Sequence, residues 1–475
     1  MLPLRFALQA LGEVVWSNDV WAAESEFTTF LLDPIITVHR DRVFFEAFSN
    51  DLSTYGLVIA ERDLFEPEGE VGHGTTNVDF TSWLWQALSD MRSSRETWFH
   101  IGPAGFQVQT KGAGGRLEKK VDIPDAWVRG FLQLQAAMAS PGTRVIARPA
   151  DMLSAIRFLK HNKAKTSPRA LRYEFEPGQP ARLVLEPWEE VIPLKETEHN
   201  YEEARVIRTW GRKRLRLLEP LLPYADAVEI YLKGRALPSF YAARLPGITF
   251  LLGLSGWTAH QWTGTGSFDL LFDDAPVDNK LLARGLKQLQ KQTATSVEDL
   301  AKQLEVPRAT ANNLLMRLCR QGRAVYDVQR REFRHRELFD TPLDEEKLFP
   351  PDPRREKSRE LIAAGQVRVE SCKVQETRKT QKIKTPEGER TREIFYRDWN
   401  VTGRVQETLP VEIVVKDTGQ IIFGRCACDF FQEHLLNQGP CEHMMALSKM
   451  SEKTRKDLPT TTITGEKKAV IESAQ

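Results

Sequence analysis

Residues 426–443, CACDFFQEHLLNQGPCEH, carry the sequence pattern that most constrains what this chain can fold into. Three cysteines and one histidine stand there in the order C-x-C-x12-C-x-H. Three thiolates and one imidazole complete the tetrahedral set that zinc prefers, whereas a catalytic zinc keeps one position open for water. The spacing therefore predicts one structural Zn2+, and the predicted ligands are Cys426, Cys428, Cys441 and His443.

A second histidine in this stretch, His434, raises the alternative of a five-ligand or catalytic site. It lies between Glu433 and Leu435 in a short helical segment, where a surface position is the ordinary outcome. The aromatic and leucine residues of the same loop are expected to cover the metal. We therefore expect His434 to lie outside the coordination shell.

The elements predicted around the cluster stand in a characteristic order. A predicted strand, QIIFGR, leads into Cys426, and an apolar helix with Met444, Met445 and Leu447 follows His443. This order resembles the SWIM-type zinc finger, whose pattern is CxCxnCxH after a β-hairpin and before a helix. The resemblance covers about residues 405–450 and implies the same four ligands, in a module that binds DNA or protein.

The chain is long enough for several domains, and its residue usage changes along its length. Its 475 residues exceed the size at which one hydrophobic core stops growing, about 250 residues. Ten of eleven tryptophans precede residue 263, and all five cysteines follow residue 318. We predict an α+β multidomain protein in which residues 1–275 form an N-terminal α+β region, with a subdomain break near residues 161–170.

Residues 277–339 show short amphipathic helices followed by a hairpin. Ser296 can cap one helix, the EVP turn separates it from a second, and Gly322 ends that second helix. RAVYDV and REFRHREL then alternate like two strands. Helix, helix, turn, helix and hairpin is the order of the winged helix-turn-helix superfamily, which this segment resembles, so we expect a central winged-helix-like domain.

The C-terminal third is predicted to be β-rich. Residues 340–360 are rich in proline and charge, which indicates a linker or a short connecting helix. Residues 361–450 contain successive strand-like runs that lead into the cysteines, so this domain is expected to carry the zinc finger. Residues 451–475 have few large apolar groups and are expected to be a mostly disordered tail.

Local charge, rather than total charge, indicates a partner. The chain has 66 basic and 65 acidic residues, but residues 277–339 hold thirteen Lys and Arg against seven Asp and Glu. Side chains suited to phosphates and base edges recur on the presumed recognition helix and at the wing tip. The candidate nucleic-acid contacts, with DNA as the expected partner, are Arg308, Asn312, Asn313, Arg317, Arg330, Arg331 and Arg334. Winged helices also dock proteins, and that alternative stays open.

The order of the predicted domains also resembles that of bacterial SWIM-finger proteins of uncertain role, as do the stretches DAWVRGFLQLQAAMA and FRHRELF. Some of those proteins are encoded beside MoxR-type AAA+ ATPases and von Willebrand factor A-type proteins. The resemblance implies a non-enzymatic nucleic-acid-binding or adaptor protein. A protein-only scaffold with such partners is the alternative that it also suggests.

An enzyme is a further alternative, with its active site in the N-terminal region. The sequence contains no GxxxxGK[ST], GxSxG or HExxH pattern, so such a site would have to lack a short motif. The odd number of cysteines disfavours a disulfide framework and favours a reducing compartment. We therefore expect a cytoplasmic protein without a membrane segment.

Overall fold

A computed structural model gives the fold of the chain. It describes residues 2–16, 34–49, 52–78, 81–113, 115–120, 125–199, 201–234, 237–255, 277–339, 352–385, 388–416, 419–436, 438–456 and 462–468. The chain divides into two compact units, which are described separately below. Unit 1 comprises residues 1–266, 289–295 and 318–348, and unit 2 comprises residues 267–288, 296–317 and 349–475.

The largest sheet of unit 1 is antiparallel and has eight strands. They are β1 (Ile35–Val38), β2 (Arg42–Phe48), β3 (Thr54–Glu61), β4 (Gly74–Asn77), β8 (Thr143–Ala147), β13 (Ala227–Leu232), β14 (Ser239–Leu245) and β15 (Ile248–Leu254). Their order in the sheet is β4-β1-β2-β3-β15-β14-β13-β8. Central strands such as RVFFEAF and ITFLLGL are almost continuously buried, which explains why they lack the alternation of a half-exposed strand.

Two smaller antiparallel sheets complete the N-terminal part of unit 1. One has the order β5-β6-β7 and consists of β5 (Thr97–Gly102), β6 (Gly105–Thr110) and β7 (Arg116–Lys119). The other has the order β11-β10-β9-β12 and consists of β9 (Leu171–Phe175), β10 (Ala181–Leu185), β11 (Glu190–Leu194) and β12 (Arg205–Thr209). The region is therefore a mixture of α and β structure, as the sequence predicts.

Four α-helices of the described N-terminal residues accompany these sheets, and one of them requires a glycine beneath it. They are α1 (Leu2–Trp16), α2 (Ser82–Asp90), α3 (Asp125–Ala139) and α4 (Pro149–His161). Helix α1 packs its apolar face on β3, where a Cβ on Gly56 would lie only 2.8 Å from a methyl carbon of Leu11. No helix in the described ranges is long and apolar enough to cross a bilayer.

Residues 277–339 form three helices and a hairpin in the order of the prediction, with one further short strand between the first two helices. The elements are α5 (Asn279–Gln292), β16 (Ala294–Thr295), α6 (Val297–Leu304), α7 (Arg308–Arg320), β17 (Ala324–Asp327) and β18 (Glu332–His335). Ser296 caps α6 by accepting a hydrogen bond from the backbone N–H of Asp299, at 3.0 Å. The three strands form an antiparallel sheet in the order β16-β18-β17, within unit 1.

Unit 2 contains a long antiparallel sheet with helices beside it. Its strands are β19 (Val367–Thr385), β20 (Gly388–Val405), β21 (Leu409–Lys416), β22 (Ile421–Cys426) and β23 (Thr462–Lys468), and its further helices are α8 (Pro353–Ala363), α9 (Asp429–His434) and α10 (Glu442–Lys456). The order is β19-β20-β21-β22, and β23 pairs with β20. Gly403 of β20 allows Leu447 of α10 to approach closely, since an added Cβ would lie 2.5 Å from it.

In three segments of this region the structure differs in detail from the prediction. Among the strand-like runs predicted in residues 361–450, VRVESCKV and TRKTQKIKT lie in one continuous strand, β19. The expected linker 340–360 contains the start of α8, while residues 340–351 lie outside the described residues. Within the expected tail 451–475, α10 continues to Lys456 and β23 is paired, so backbone pairing orders part of it despite its polar composition. Residues 457–461 and 469–475 lie outside the described residues.

Candidate metal centre

The first cysteine pair lies where a strand passes into a helix. Cys426 is the last residue of β22, and it pairs with Val411 of β21. Cys428 is the N-cap residue of α9, and its carbonyl accepts a hydrogen bond from the backbone N–H of Gln432 at 3.0 Å. The Gln432 side chain donates to the carbonyl of Cys426 at 2.7 Å. These bonds fix the backbone on both sides of the first two ligands.

The second pair lies at the start of α10. The backbone carbonyl of Cys441 accepts from the N–H of Met445 at 3.1 Å, so Cys441 is tied to the first helical turn, which contains His443. Cys441 is fully buried and His443 is 9 % exposed. The start of α10 therefore places two predicted ligands, two residues apart, near Cys426 at the end of β22.

The side chains of the four predicted ligands lie close together. The ligand atoms of Cys426, Cys428, Cys441 and His443 all lie within 4.8 Å of one another. Cys426 Sγ is 3.8 Å from His443 Nδ1. A tetrahedral zinc with bonds of about 2.3 Å to sulfur has ligand-to-ligand edges of about 3.7 Å, so small side-chain movements suffice to hold the ion. The geometry and the donor types thus form a possible single zinc site, as the sequence predicts.

The thiols of this cluster influence one another's acidity. The pKa of Cys426 is lowered to about 4, chiefly because Cys441 donates a hydrogen bond to its sulfur and also because His443 does so. The same hydrogen bond raises the pKa of Cys441. Burial raises the pKa of Cys428. A bound cation would take the place of the shared protons, so metal binding at this site releases protons and weakens at low pH.

Apolar residues of the loop between the two pairs, and of the helix after it, are buried. Phe431 and Leu436 are each 7 % exposed, and Met444 is fully buried against Gly424 of β22. His434 is not a member of the cluster. Its ring instead lies edge-on to Phe430, with centroids 4.9 Å apart, and its Nε2 is 3.7 Å from Glu433 Oε2. The structure therefore provides four protein donors and a covered site.

Arg354 positions the loop that leads to Cys441, a role that is not apparent from the sequence. Its guanidinium donates to the carbonyls of Gln438 at 2.8 Å and Pro440 at 3.2 Å, and it pairs with Asp352 at 2.6 Å. It also lies over the ring of Phe430, 4.5 Å from the centroid. The sequence does signal the start of the helix that carries Arg354, because an N-cap aspartate, Asp352, is followed by Pro353.

The residues predicted to contact nucleic acid from α7 are mostly engaged or buried. Arg308 forms an ion pair with Glu298, Nη2 to Oε1 at 2.8 Å. Asn312 is 7 % exposed and Asn313 is 9 % exposed. Arg317 is half-buried, and its Nε has no hydrogen-bond partner among the described residues. Their role as nucleic-acid contacts stays a prediction, but Asn312 and Asn313 lie inside the protein rather than on its surface.

The three arginines predicted for the wing differ from one another. Arg331 is exposed, with a left-handed φ of 57°, in the turn between β17 and β18. Arg330 is 47 % exposed and lies 3.4 Å from Asp41. Arg334 is only 2 % exposed, and it makes two hydrogen bonds of 2.8 Å to the Asp41 carboxylate. The structure therefore corrects the expectation for Arg334, because its guanidinium is part of a buried ion network.

Comparisons with known proteins assign no family to the chain. No family model and no curated protein matches it. Among solved structures, the proliferating cellular nuclear antigen of Entamoeba histolytica is 11 % identical, with a TM-score of 0.38, covering 53 % of this chain and 93 % of that chain. PCNA from Thermococcus kodakaraensis is 12 % identical, with a TM-score of 0.37, covering 54 % of this chain and 96 % of that chain. Similarity this weak carries no argument about function.

Proposed function

We propose that this chain is a non-enzymatic, zinc-stabilised protein of the SWIM-finger type that binds nucleic acid, with DNA as its partner, or acts as an adaptor. The observation that carries the proposal is the convergence of three thiols and one imidazole within 4.8 Å of one another. Because all four positions of a tetrahedral ion are filled by protein, the metal holds the fold and does not activate water.

A winged helix in residues 277–339 is the second part of the proposal. Support comes from the order of elements, α5-β16-α6-α7-β17-β18, and from the three-stranded sheet in the order β16-β18-β17. Thirteen basic residues against seven acidic ones give this segment the charge that a polyanion partner requires. Support for DNA therefore comes from the segment's net charge and not from its buried asparagines.

A protein-only scaffold is the second candidate function. Two observations favour it, namely the burial of Asn312 and Asn313 and the ion pair that Arg308 makes with Glu298. A recognition helix engaged in this way leaves fewer groups for base edges than a DNA reader normally presents. The partners proposed for this role are the MoxR-type AAA+ ATPase and the von Willebrand factor A-type protein suggested by the family resemblance.

Titration of the full-length zinc-bound protein with a labelled 24-base-pair DNA duplex at several salt concentrations separates the two candidates. A nucleic-acid-binding protein shows affinity that falls steeply with salt, because binding releases counterions from the phosphates. The absence of binding at 50 mM salt would contradict the nucleic-acid function and leave the scaffold. Metal content measured in the same preparation tests the zinc part independently.

A further inference from the structure

Helix α5 carries all of its charge on one face. Its sequence, NKLLARGLKQLQKQ, contains four basic residues and no acidic one. At 3.6 residues per turn, the four basic positions fall within an arc of about 60° and extend about 16 Å along the helix axis. The residues of this surface, which we call the α5 basic face, are Lys280, Arg284, Lys287 and Lys291.

The α5 basic face makes no ion pair within the described part of the chain. All four side chains are exposed, and no carboxylate among the described residues pairs with any of them. The opposite face of the helix is turned inward, since Gly285 and Leu289 are buried. Gly285 is tightly packed, because an added Cβ would lie 2.4 Å from a methyl carbon of Leu314 in α7. This packing holds the basic residues outward.

The polar side chains of α7 are less accessible than the basic side chains of α5. The side chains of α7 expected to read nucleic acid are buried at Asn312 and Asn313 and paired at Arg308. Four cations on α5 remain solvated and unneutralised, at a cost in mutual repulsion that a polyanion would relieve. Of the two helices, α5 therefore offers the more exposed positive surface.

We propose that the α5 basic face binds the phosphate backbone of a nucleic acid without reading its sequence. This inference rests on the nucleic-acid function proposed above and assigns that function to a specific surface. Lysine and arginine side chains position a protein on phosphates, and they carry no base information by themselves. Gln288, which is half-buried, and Gln290, which is exposed, lie beside this face and can add hydrogen bonds to phosphate or sugar.

Two other anionic partners fit this surface less well. An interfacial membrane helix needs an exposed apolar face to enter the lipid, whereas the apolar residues of α5 are buried at Leu289 and half-buried at Leu281, Leu282 and Leu286. An acidic protein offers charges in an irregular pattern, whereas the basic residues of α5 recur at intervals of about 4.5–6 Å along the axis. A nucleic acid, which carries a phosphate at every nucleotide, matches this regular spacing of basic residues.

The size of the expected effect follows from counterion release. Each phosphate contact contributes about −0.9 to the slope of log K against log salt concentration for duplex DNA. Replacing Arg284 and Lys287 by glutamine removes two contacts, so the slope should become shallower by about 2. Affinity at 0.1 M salt should fall about tenfold or more. Glutamine is chosen because it sustains a helix about as well as lysine or arginine.

The test measures binding of the full-length zinc-loaded protein to a labelled 24-base-pair mixed-sequence duplex by fluorescence anisotropy. The test variant is Arg284→Gln with Lys287→Gln. The matched control is Lys163→Gln with Lys165→Gln, which removes the same net charge from two exposed lysines of unit 1. A conservative variant, Arg284→Lys with Lys287→Arg, should restore full binding. Melting temperatures of all variants should agree, because the substituted side chains are exposed.

The outcomes separate this inference from the function on which it rests. Selective loss in the α5 variant, with the control and the conservative variant unchanged, supports the α5 basic face. If the wild type binds DNA and the α5 variant binds it equally well, the role of the α5 basic face is contradicted. The nucleic-acid function is then left intact. No binding by the wild type contradicts the function itself. Preferential binding of phosphatidylserine vesicles, lost in the α5 variant, would replace nucleic acid by a membrane and contradict the proposal.

Discussion

Arg354 shows how one residue outside the ligand set can control a metal site. Its guanidinium holds the carbonyls of Gln438 and Pro440, directly before Cys441, and covers the ring of Phe430. Its charge is balanced by Asp352, so the group is both partly buried and paired. Residues that orient a ligand typically affect metal affinity by about 10–100-fold, even though they never touch the ion.

Arg354→Ala should therefore weaken zinc binding by about tenfold, because the segment before Cys441 loses its two carbonyl contacts. Competition with a chromophoric chelator measures this change. Arg359→Ala in the same helix, at an exposed position, is the matched control and should leave zinc affinity unchanged. Equal zinc affinity in both variants would show that the loop holds its shape without Arg354.

His39 is a second residue whose environment has a measurable consequence. Burial, with the nearby charges of Arg334, Arg336 and Arg42, lowers the pKa of His39 to about 3, although Asp41 opposes this shift. The ring is 4 % exposed and lies edge-on to Phe44, with centroids 4.8 Å apart. The folded protein thus keeps His39 neutral under conditions in which the unfolded chain takes up a proton.

The lowered pKa of His39 predicts that unit 1 becomes less stable as the pH falls. Because the folded pKa lies below the unfolded value of about 6.5, the unfolded state binds more protons between pH 6.5 and 3, and stability falls as the pH is lowered through that window. From pH 7 to 4.5, His39 should cost about 2–3 kcal/mol of the free energy of unfolding. Denaturant unfolding of His39→Phe should show a flatter pH profile, and a profile parallel to wild type would contradict the assignment.

At the scale of elements, the hairpin β17–β18 is tied to β2 by paired arginines. Arg42 Nη1 lies 2.9 Å from Asp327 Oδ2, and Arg336 Nη1 lies 2.5 Å from Glu46 Oε2. All four side chains are at most 2 % exposed. Glu46 also accepts a hydrogen bond from Tyr55 Oη at 2.7 Å. The hairpin is therefore an integral part of unit 1.

Glu46→Gln should destabilise unit 1 by about 3–5 kcal/mol, because it leaves the Arg336 guanidinium buried without its counter-charge. The double variant Glu46→Leu with Arg336→Met should recover most of that loss, since an apolar pair carries no desolvation cost. Thermal or denaturant unfolding measures both. A Glu46→Gln variant as stable as the wild type would mean that water or another group neutralises Arg336.

Elements with local signals could be predicted from the sequence, and contacts between distant segments could not. The helices α6 and α7 follow from apolar spacing, the Ser296 cap and the turn after Leu304. The convergence of the three cysteines and the histidine could be predicted, because soft donors at fixed spacing have few other uses. Arg334 was assigned to the surface because its partner, Asp41, lies 293 positions away in sequence. Strand β23 was missed since it is ordered by backbone pairing and not by apolar side chains.

At the scale of the whole molecule, the metal and the large N-terminal sheet belong to different compact units. Cys426, Cys428, Cys441 and His443 all lie in unit 2, while the eight-stranded sheet lies in unit 1. Structural zinc contributes about 10 kcal/mol or more in small finger peptides, so zinc bound at the proposed site should stabilise unit 2 far more than unit 1.

Removal of zinc with a chelator should therefore unfold the finger while unit 1 persists. Limited proteolysis followed by mass spectrometry should show new cleavage within residues 405–450 and continued protection of β2, β3 and β15. Cys441→Ser should reproduce this pattern, and Cys372→Ser, outside the cluster, should not. Simultaneous loss of protection in both units would contradict their independence.

The most direct test of the central claim is zinc-edge X-ray absorption spectroscopy on full-length protein purified without chelator, combined with its metal content. We predict one zinc per chain, with three sulfur ligands at about 2.3 Å and one nitrogen ligand at about 2.0 Å. That result assigns the ion to Cys426, Cys428, Cys441 and His443 as a structural clamp. A preparation without zinc, or a spectrum that requires an oxygen ligand from water, would contradict it.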